Sequence, residues 1–334
     1  MFTRQQLPLI RGQYGQPYHL WMTQEFGDLG WNLVQKTVAQ RRAHDVTLFI
    51  EGTDHRFALM AKHSYPPGLF RAPSGGINPG EDFLVGALRE AREETGLNVQ
   101  LRKFALHVTL DITHNKEIVT WETYVFHATT SEIRLGPTDR HEVRDARWAT
   151  RNQLEKMNER LIATENGGLI YRARLNDAFL WSLDHGLTFR EGNPKDFPLI
   201  EAALGLARID PGFMGQAFWF IAEIEGLLAG TVALVPREDY MELTGLTTEP
   251  FFRGRGVGHA LAEYAVDRWS DVDSRNRMMS QRDMALPDEL WLLTELPMYF
   301  QPVGFHIPKQ NELRPSIKNR LSPTQTAMIY KTTF

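Results

Sequence analysis

The chain contains no cysteine. That excludes disulfides, thiolate nucleophiles and zinc–thiolate sites, and it favours a cytoplasmic location. No stretch approaches the ~18 apolar residues that a membrane-spanning helix needs. The opening residues, MFTRQQLPLIRGQYGQPYH, hold no apolar run of signal-peptide length. Charge of one sign is also scarce: the net formal charge is -4, so no strong field invites nucleic acid or an anionic membrane. Low-complexity linkers, internal repeats and a basic helix-turn-helix pattern are all missing. What remains is a chain of 334 residues, 42% apolar and 23% charged. That is the composition of a globular protein, with length for two ordinary domains.

The most informative stretch is Gly75 to Leu97, GGINPGEDFLVGALREAREETGL. Gly75, Gly76, Pro79 and Gly80 form a loop. Leu84, Ala87, Leu88 and Ala91 then recur at helical spacing and predict a buried face. Glu90, Glu93 and Glu94 share another face, roughly opposite on a helical wheel. Gly96 is a helix stop. Three carboxylates on one side of a helix repel each other unless they are solvated or hold a cation. Hard oxygen donors of this kind suit Mg²⁺ or Mn²⁺. A solvated acidic helix is the ordinary alternative for three glutamates alone.

The spacing decides between them. Gly75, five residues, Glu81, seven residues, then Arg89-Glu90-Ala91-Arg92-Glu93-Glu94-Thr95-Gly96-Leu97 resembles the Nudix hydrolase box. Ala91 stands where that family usually carries a larger apolar residue. At roughly one in fifteen per fixed position, chance agreement is on the order of one in 10⁸. The resemblance implies a Nudix α/β/α sandwich that hydrolyses a nucleoside diphosphate linked to a second moiety. It implies Glu90, Glu93 and Glu94 as ligands of Mg²⁺ (or Mn²⁺), with Glu90, Glu93 and Arg89 serving catalysis. Glu81, Gly75 and Gly76 would support the site. Glu142, in the segment before Trp148, corresponds to a family glutamate that adds a ligand or a base, and a solvated loop acid is its ordinary reading. His141-Glu142 is not the zinc motif HExxH, since Asp145 stands at the second histidine's place.

Around the box, residues 46–50 and 57–61 read as a hairpin, 99–110 and 118–128 as strands, and 152–161 and 171–183 as helices. Residues 1–42 are expected as an N-terminal extension that includes a short helix carrying Trp31, Leu33, Val34 and Val38. The expected domains are then 43–185 and 186–334, with the boundary at Asp184-His185-Gly186.

The second half begins anew. A strand at 187–190 precedes a helix capped by Asp196. A hairpin follows at 218–235, and then a strand at 242–248. That strand runs into Arg253-Gly254-Arg255-Gly256-Val257-Gly258-His259 and a helix. A strand, a glycine turn and a helix start make an anion site. No Gly-Lys-Ser/Thr follows, so this is not a P-loop. His259 takes the third glycine's place in the dinucleotide pattern.

Arg253-x-x-Gly256-x-Gly258 resembles the pyrophosphate-binding motif of GNAT N-acetyltransferases. Leu290–Thr294 looks like that family's fifth strand, and residues 299–305, YFQPVGF, like its tyrosine-bearing segment. The resemblance covers residues 187–334 and implies a mixed-sheet acyltransferase fold, so the whole chain is of α/β (α+β) class. It implies acetyl-CoA as cofactor, bound by Leu246, Thr247, Thr248, Arg253, Gly254, Arg255, Gly256, Val257 and Gly258, and an amine as acceptor. Phe300 occupies the usual tyrosine position. Tyr299, one residue earlier and about 100° away on a helix, is the candidate proton donor, and a buried core tyrosine is its ordinary reading. Glu242 is the candidate base, and a solvated strand acid is its ordinary reading.

The expected protein is bifunctional: a Nudix hydrolase followed by an acetyltransferase. Its expected partners are a small nucleotide substrate and an amine acceptor, without nucleic acid or membrane, and an oligomer is compatible with the sequence. The alternative is a Nudix hydrolase whose second domain only binds acyl-CoA and regulates. A ligand-sensing transcriptional regulator is a third reading, opposed by the near-complete box.

Overall fold

Two compact units divide the chain, Met1–His185 and Gly186–Phe334, in a computed structural model. Residues 6–280 and 289–331 are described.

The first unit runs α1 (Leu7–Tyr14), β1 (Tyr18–Glu25), α2 (Asp28–Ala39), β2 (His44–Glu51), β3 (Phe57–Lys62), β4 (Ser74–Gly75), α3 (Phe83–Thr95), β5 (Gln100–His114), β6 (Glu117–Thr129), β7 (Val143–Ala149), α4 (Arg151–Ile162) and α5 (Gly167–Asp184). Its mixed sheet has the order β1-β5-β6-β2-β3-β7, with β4 added on β2. Asn115 and Lys116, both at positive φ, close the long β5–β6 hairpin. Backbone of that hand matches the right-handed twist of the strands.

The expected β2–β3 hairpin forms only at its turn. β2 meets β3 at the single pair Glu51↔Phe57. It then runs parallel to β6 and antiparallel to β4, while β3 pairs with β7. The two strands fork, and the signature loop with its helix enters the notch.

Alternation along β2 divides the packing. Val46, Leu48 and Ile50 join Phe83, Ala87, Ala91, Phe104, Tyr124 and Phe126 in one core. Phe49 points the other way and stacks on Phe179 of α5, with ring centroids 3.8 Å apart at 6°. Such a pair adds about 0.5–1.5 kcal/mol beyond the area it buries. Helices therefore cover both faces of the sheet, the α/β/α arrangement expected.

Two sequence expectations change here. The buried line of α3 is Phe83, Ala87, Ala91 and Glu94, whereas Leu88 is 41% exposed and Leu84 only partly buried. Small alanines let the helix sit close against the sheet, and Glu94 shares their face at i+3 and i+7. The carboxylate face is thus not opposite the buried one. Second, residues 18–25 lie within the proposed N-terminal extension but form β1, parallel to β5 from Tyr18↔Leu106 to Glu25↔Thr113. Leu20, Trp21 and Met22 are consecutive, so no period of two marks this strand.

The second unit runs β8 (Leu187–Glu191), α6 (Phe197–Leu206), β9 (Phe218–Ile224), β10 (Leu227–Pro236), β11 (Met241–Thr248), α7 (Val257–Ser270), α8 (Val272–Ser280), β12 (Glu289–Thr294), α9 (Pro297–Phe300), α10 (Pro315–Lys318) and β13 (Thr326–Lys331). The sheet order is β13-β12-β11-β10-β9-β8. All neighbours are antiparallel except β11 and β12, which pair in parallel only at Met241↔Leu290 and Glu242↔Trp291. Beyond those two pairs the strands part, and the glycine turn leaves from the free end of β11. Asp196 stands at the start of α6 but makes no side-chain cap there. Its carboxylate turns back to Arg190 at 2.7 and 2.8 Å and to the Asn193 amide at 2.8 Å.

Candidate functional site

In the first unit, Arg89 is the hub of the signature helix. Its Nε and Nη2 grip both oxygens of Glu81 at 2.8 and 2.9 Å. Its Nη1 donates to Glu90 Oε1 and to Glu93 Oε2, each at 2.8 Å, and Nη2 also donates to the Gly76 carbonyl at 3.0 Å. Glu81 in turn accepts the Asn78 amide at 2.9 Å. The five-residue and seven-residue spacings bring Glu81 and the helix glutamates around this one guanidinium.

Glu94 is tied differently. It is 4% exposed, accepts the Ser74 amide at 2.6 Å, and pairs with Arg71 at 3.2 Å. Arg71 is itself buried and held by Ser74 Oγ, the Ala72 carbonyl and the Tyr65 hydroxyl. The helix end is therefore stitched to β4. Gly75 leaves room for the Glu90 carboxylate: a Cβ there would run into it, and the carboxylate would have to move. A Cβ at Gly76 would collide with the Arg42 side chain.

Four carboxylates and two guanidiniums leave a local formal charge of about −2. Burial pushes the Glu90 carboxyl up to about 7; Arg89 opposes this, while Glu94 and Glu93 add to it. Burial also raises Glu94, against Arg71 and Lys62. Glu81, bonded to Arg89, is held below the ordinary value. Glu90 Oε2 and Glu93 Oε1 accept no hydrogen bond among the described residues. An all-oxygen, crowded, net-negative donor set suits a hard divalent cation.

Glu142 lies at the rim. It is exposed and paired with Lys62 at 2.5 Å. Lys62 also bears on Glu94, so one lysine links the loop acid to the cluster. Sequence reasoning missed Arg71, Lys62 and Arg172. Arg172 binds Asp45 at 2.9 Å and Thr47 at 3.0 Å, and its charge also reaches Glu94. An arginine inside the apolar run Leu69-Phe70-Arg71-Ala72 was the one available signal.

In the second unit, Gly256 caps α7 in the left-handed region, at φ 83°. Gly254, at φ 72°, allows the preceding turn. The Ala260 amide donates to the Gly256 carbonyl at 3.1 Å, so the helical ladder reaches back to the glycine. The Val257 and Gly258 amides lie in that first turn, where a helix carries its unladdered donors. Arg253 Nε donates to the Thr248 carbonyl at 3.0 Å, joining the turn to the end of β11. Thr247 is buried and its hydroxyl meets that of Thr231 at 2.8 Å, a structural contact. Leu246 is the residue before it on the same strand. A Cβ at Gly258 would collide with the Tyr299 hydroxyl, so Tyr299 reaches the glycine turn. Burial pushes the Tyr299 phenol up to about 12.

Glu242 is not the solvated strand acid of its ordinary reading. It is 4% exposed, with Arg237 at 2.5 Å and Arg320 at 2.8 Å. Arg320 reaches its other oxygen at 3.3 Å. Both carboxylate oxygens are occupied by arginine, which leaves Glu242 poorly placed to accept a substrate proton.

The NUDIX domain family matches residues 41–168, and the acetyltransferase (GNAT) family matches residues 187–281. The chain joins a Nudix domain to a GNAT domain. Both are domains of enzyme families. A search of curated proteins returned no match. Among solved structures, N-acetylglutamate synthase from Neisseria gonorrhoeae, complexed with coenzyme A and L-arginine, is 18% identical. The match covers 44% of this chain and 34% of that chain, with a TM-score of 0.35; the chain thus spans about a third of that enzyme. A NUDIX-family hydrolase from Clostridium perfringens is 23% identical over 34% of this chain and 84% of that chain, with a TM-score of 0.27. A C. elegans Ap4A hydrolase binary complex is 24% identical over 41% and 97%, with a TM-score of 0.28. No helix among the described residues is long and apolar enough to cross a membrane.

Proposed function

We propose that the Nudix domain hydrolyses a nucleoside diphosphate linked to a second moiety, with Mg²⁺ or Mn²⁺ held by the open oxygens of Glu90 and Glu93, and by Glu94, the third expected ligand, once it yields part of its hold on Ser74 or Arg71. The observation that carries this is the Glu81–Arg89–Glu90–Glu93 network with Glu94 anchored beside it. The cation, when bound, neutralises diphosphate charge and makes water more acidic. The protein's own part is positional. Arg89 binds one oxygen each of Glu90 and Glu93 and leaves the other oxygen open among the described residues. Glu81 fixes Arg89. Glu94, through Ser74 and Arg71, holds the loop against the helix. A water oxygen attacks one phosphorus, the bridging P–O bond breaks, and a proton passes from the water to a carboxylate, for which Glu142 is available at the rim.

The GNAT domain, on the same reading, transfers acetyl from acetyl-CoA to an amine. The first turn of α7 holds the pyrophosphate through backbone amides. The amine nitrogen bonds to the thioester carbon, the C–S bond breaks, and the proton that the nitrogen sheds is passed, by way of water and the Tyr299 hydroxyl as candidate donor, to the departing sulfur, so the phenol is restored. The two arginines on Glu242 favour a second reading, in which this domain binds acyl-CoA and regulates hydrolysis.

One experiment addresses both domains. Hydrolysis is screened with Mg²⁺ over nucleotide sugars, dinucleoside polyphosphates, ADP-ribose, NADH and coenzyme A, and acetyl transfer over a panel of amines. Turnover that survives in Glu93→Gln and Glu94→Gln sinks the metal assignment. Acetyl transfer abolished by Gly256 and Gly258 substitutions excludes the purely regulatory reading. We place the protein in the cytoplasm, acting on small molecules.

A further inference from the structure

At the end of β8 the chain leaves the sheet over Trp219. Gly192 makes that crossing possible. A Cβ there would stand 2.7 Å from the Trp219 Cβ, and the Gly192 amide donates to the Trp219 carbonyl at 2.8 Å. Asn193 and Pro194 then turn the chain toward α6. The end of β8, this turn, the start of β9 and α8 line a cavity of about 300 Å³, the lower end of the range for small-molecule sites. It is not the glycine-turn cradle. Along β10 the cradle end is Gly230, opposite Thr248, and the cavity end is Leu234, opposite Phe218. Four residues of strand separate the two ends by roughly 14 Å.

The cavity has an apolar base and a charged rim. Phe220 and Met278 are buried, and Phe218 is half-buried. Phe220 also packs edge-on against Tyr264 of α7, with centroids 5.8 Å apart, so that helix braces the base. Glu191 from β8 and Arg277 from α8 bring opposite charges to the rim, and both are exposed. Among the described residues neither forms an ion pair. Arg277 Nη2 donates to Ser274 Oγ at 3.1 Å. Ser274 is 3% exposed, and its amide donates to the Asp271 carboxylate at 2.8 Å. The Arg277 charge also bears on Asp271. One branch of the guanidinium is thereby steadied, and its remaining N–H donors are unspent among the described residues. Asn193 gives its Oδ1 to the Lys195 amide at 3.0 Å, which leaves its NH₂ as a further donor. A cation and an anion over an aromatic base fit a ligand that carries both charges and an apolar body.

We propose that this cavity binds a small zwitterion, an amino acid with an apolar or aromatic side chain. Arg277 takes its carboxylate, Glu191 takes its ammonium group, and Phe218, Phe220 and Met278 receive its side chain. The site goes beyond the acetyl-transfer reading and does not depend on it, since it needs neither the glycine turn nor Tyr299.

The test is calorimetry on the full chain with a panel of apolar and aromatic L-amino acids. Two single-charge analogues of phenylalanine accompany them: 3-phenylpropionate, without the ammonium, and 2-phenylethylamine, without the carboxylate. At least one amino acid of the panel is expected to bind with Kd below about 1 mM. Arg277→Gln is expected to weaken it about fivefold or more, and to leave 2-phenylethylamine within about twofold. Glu191→Gln is expected to weaken the amino acid by a similar factor, and to leave 3-phenylpropionate within about twofold. Both side chains are exposed, so both variants are expected to fold, and coenzyme A binding within about twofold of wild type checks this. A wild type that binds coenzyme A but no amino acid of the panel up to about 10 mM overturns the proposal. So does amino-acid binding that survives both substitutions unchanged, which would place the ligand elsewhere. Competition between the amino acid and coenzyme A for one site would merge the cavity with the cradle and overturn it too.

Discussion

The Glu90→Gln substitution tests the crowded carboxylate site without using a substrate. Burial and the neighbouring glutamates raise the Glu90 carboxyl from 4.5 to about 7. The folded protein therefore binds this proton more tightly than the unfolded chain does. The resulting stability is fully present below about 4.5 and is lost as pH rises through about 7. Each tenfold change in proton affinity is about 1.4 kcal/mol, so the metal-free wild type forfeits up to about 3 kcal/mol between pH 4.5 and 8. Glu90 is mostly shielded, with 13% of its side chain exposed, so solvent screening removes little of this. Glutamine keeps the Oε1 acceptor for Arg89 and carries no charge. In EDTA at pH 8, Glu90→Gln is expected to be more stable than wild type, by as much as about 3 kcal/mol, and the gap is expected to close near pH 5. With m near 3 kcal/mol per molar urea, the midpoint moves by about 1 M. Saturating Mg²⁺ reverses the order, because only the wild type gains a ligand-linked increment. Urea titrations at pH 5, 6.5 and 8, with EDTA and with Mg²⁺, read all of this. A variant no more stable than wild type at pH 8 in EDTA would refute the claim that the carboxylate is strained.

Gly75→Ala places a methyl group against the Glu90 carboxylate. It is expected to weaken Mg²⁺ binding at least tenfold by calorimetry, with coenzyme A binding unchanged. Arg71→Met leaves Glu94 buried with the Ser74 amide but without its cation. The expected loss is about 3–5 kcal/mol in urea denaturation, and it shrinks in acid as Glu94 protonates. Arg89→Lys keeps the charge but not the fork that grips Glu81, Glu90 and Glu93 together. Its hydrolytic kcat is expected to fall by about 10²-fold with little change in KM, measured on whichever substrate the screen returns. Gly258→Ala drives a methyl group into the Tyr299 hydroxyl and is expected to weaken coenzyme A binding while Mg²⁺-dependent hydrolysis persists.

Much of the fold was legible because local signals were strong. The Glu225-Gly226 turn, both residues at positive φ, follows from glycine after a polar residue between two apolar runs. The end of α3 at Gly96, in the left-handed region, follows from the one residue that adopts it without cost. β1 was not legible, because a parallel strand finds its partner 88 positions away at Tyr18↔Leu106 and no local pattern encodes that choice. α8, another missed element, has the polar sequence VDSRNRMMS, which offers no apolar stripe.

The sequence by itself determined the chemistry offered at each site. It set which residue types stand at the box positions, that the donors are oxygen and not sulfur, and that a glycine turn opens a helix in the second half. Spacing along a helix is fixed by covalent geometry, so Glu90, Glu93 and Glu94 had to be neighbours. Only the tertiary structure decided what each of those groups is free to do. The β2–β3 fork buries Glu94 against Arg71 and leaves Glu90 and Glu93 each with an oxygen open among the described residues. Two arginines, five and seventy-eight positions away in the chain, close over Glu242. The Tyr299 hydroxyl reaches Gly258 of the α7 turn, a position that its place in the chain does not reveal. These outcomes depend on charges and rings brought together from distant segments, and the free energy of a buried ionisable group is set by those neighbours.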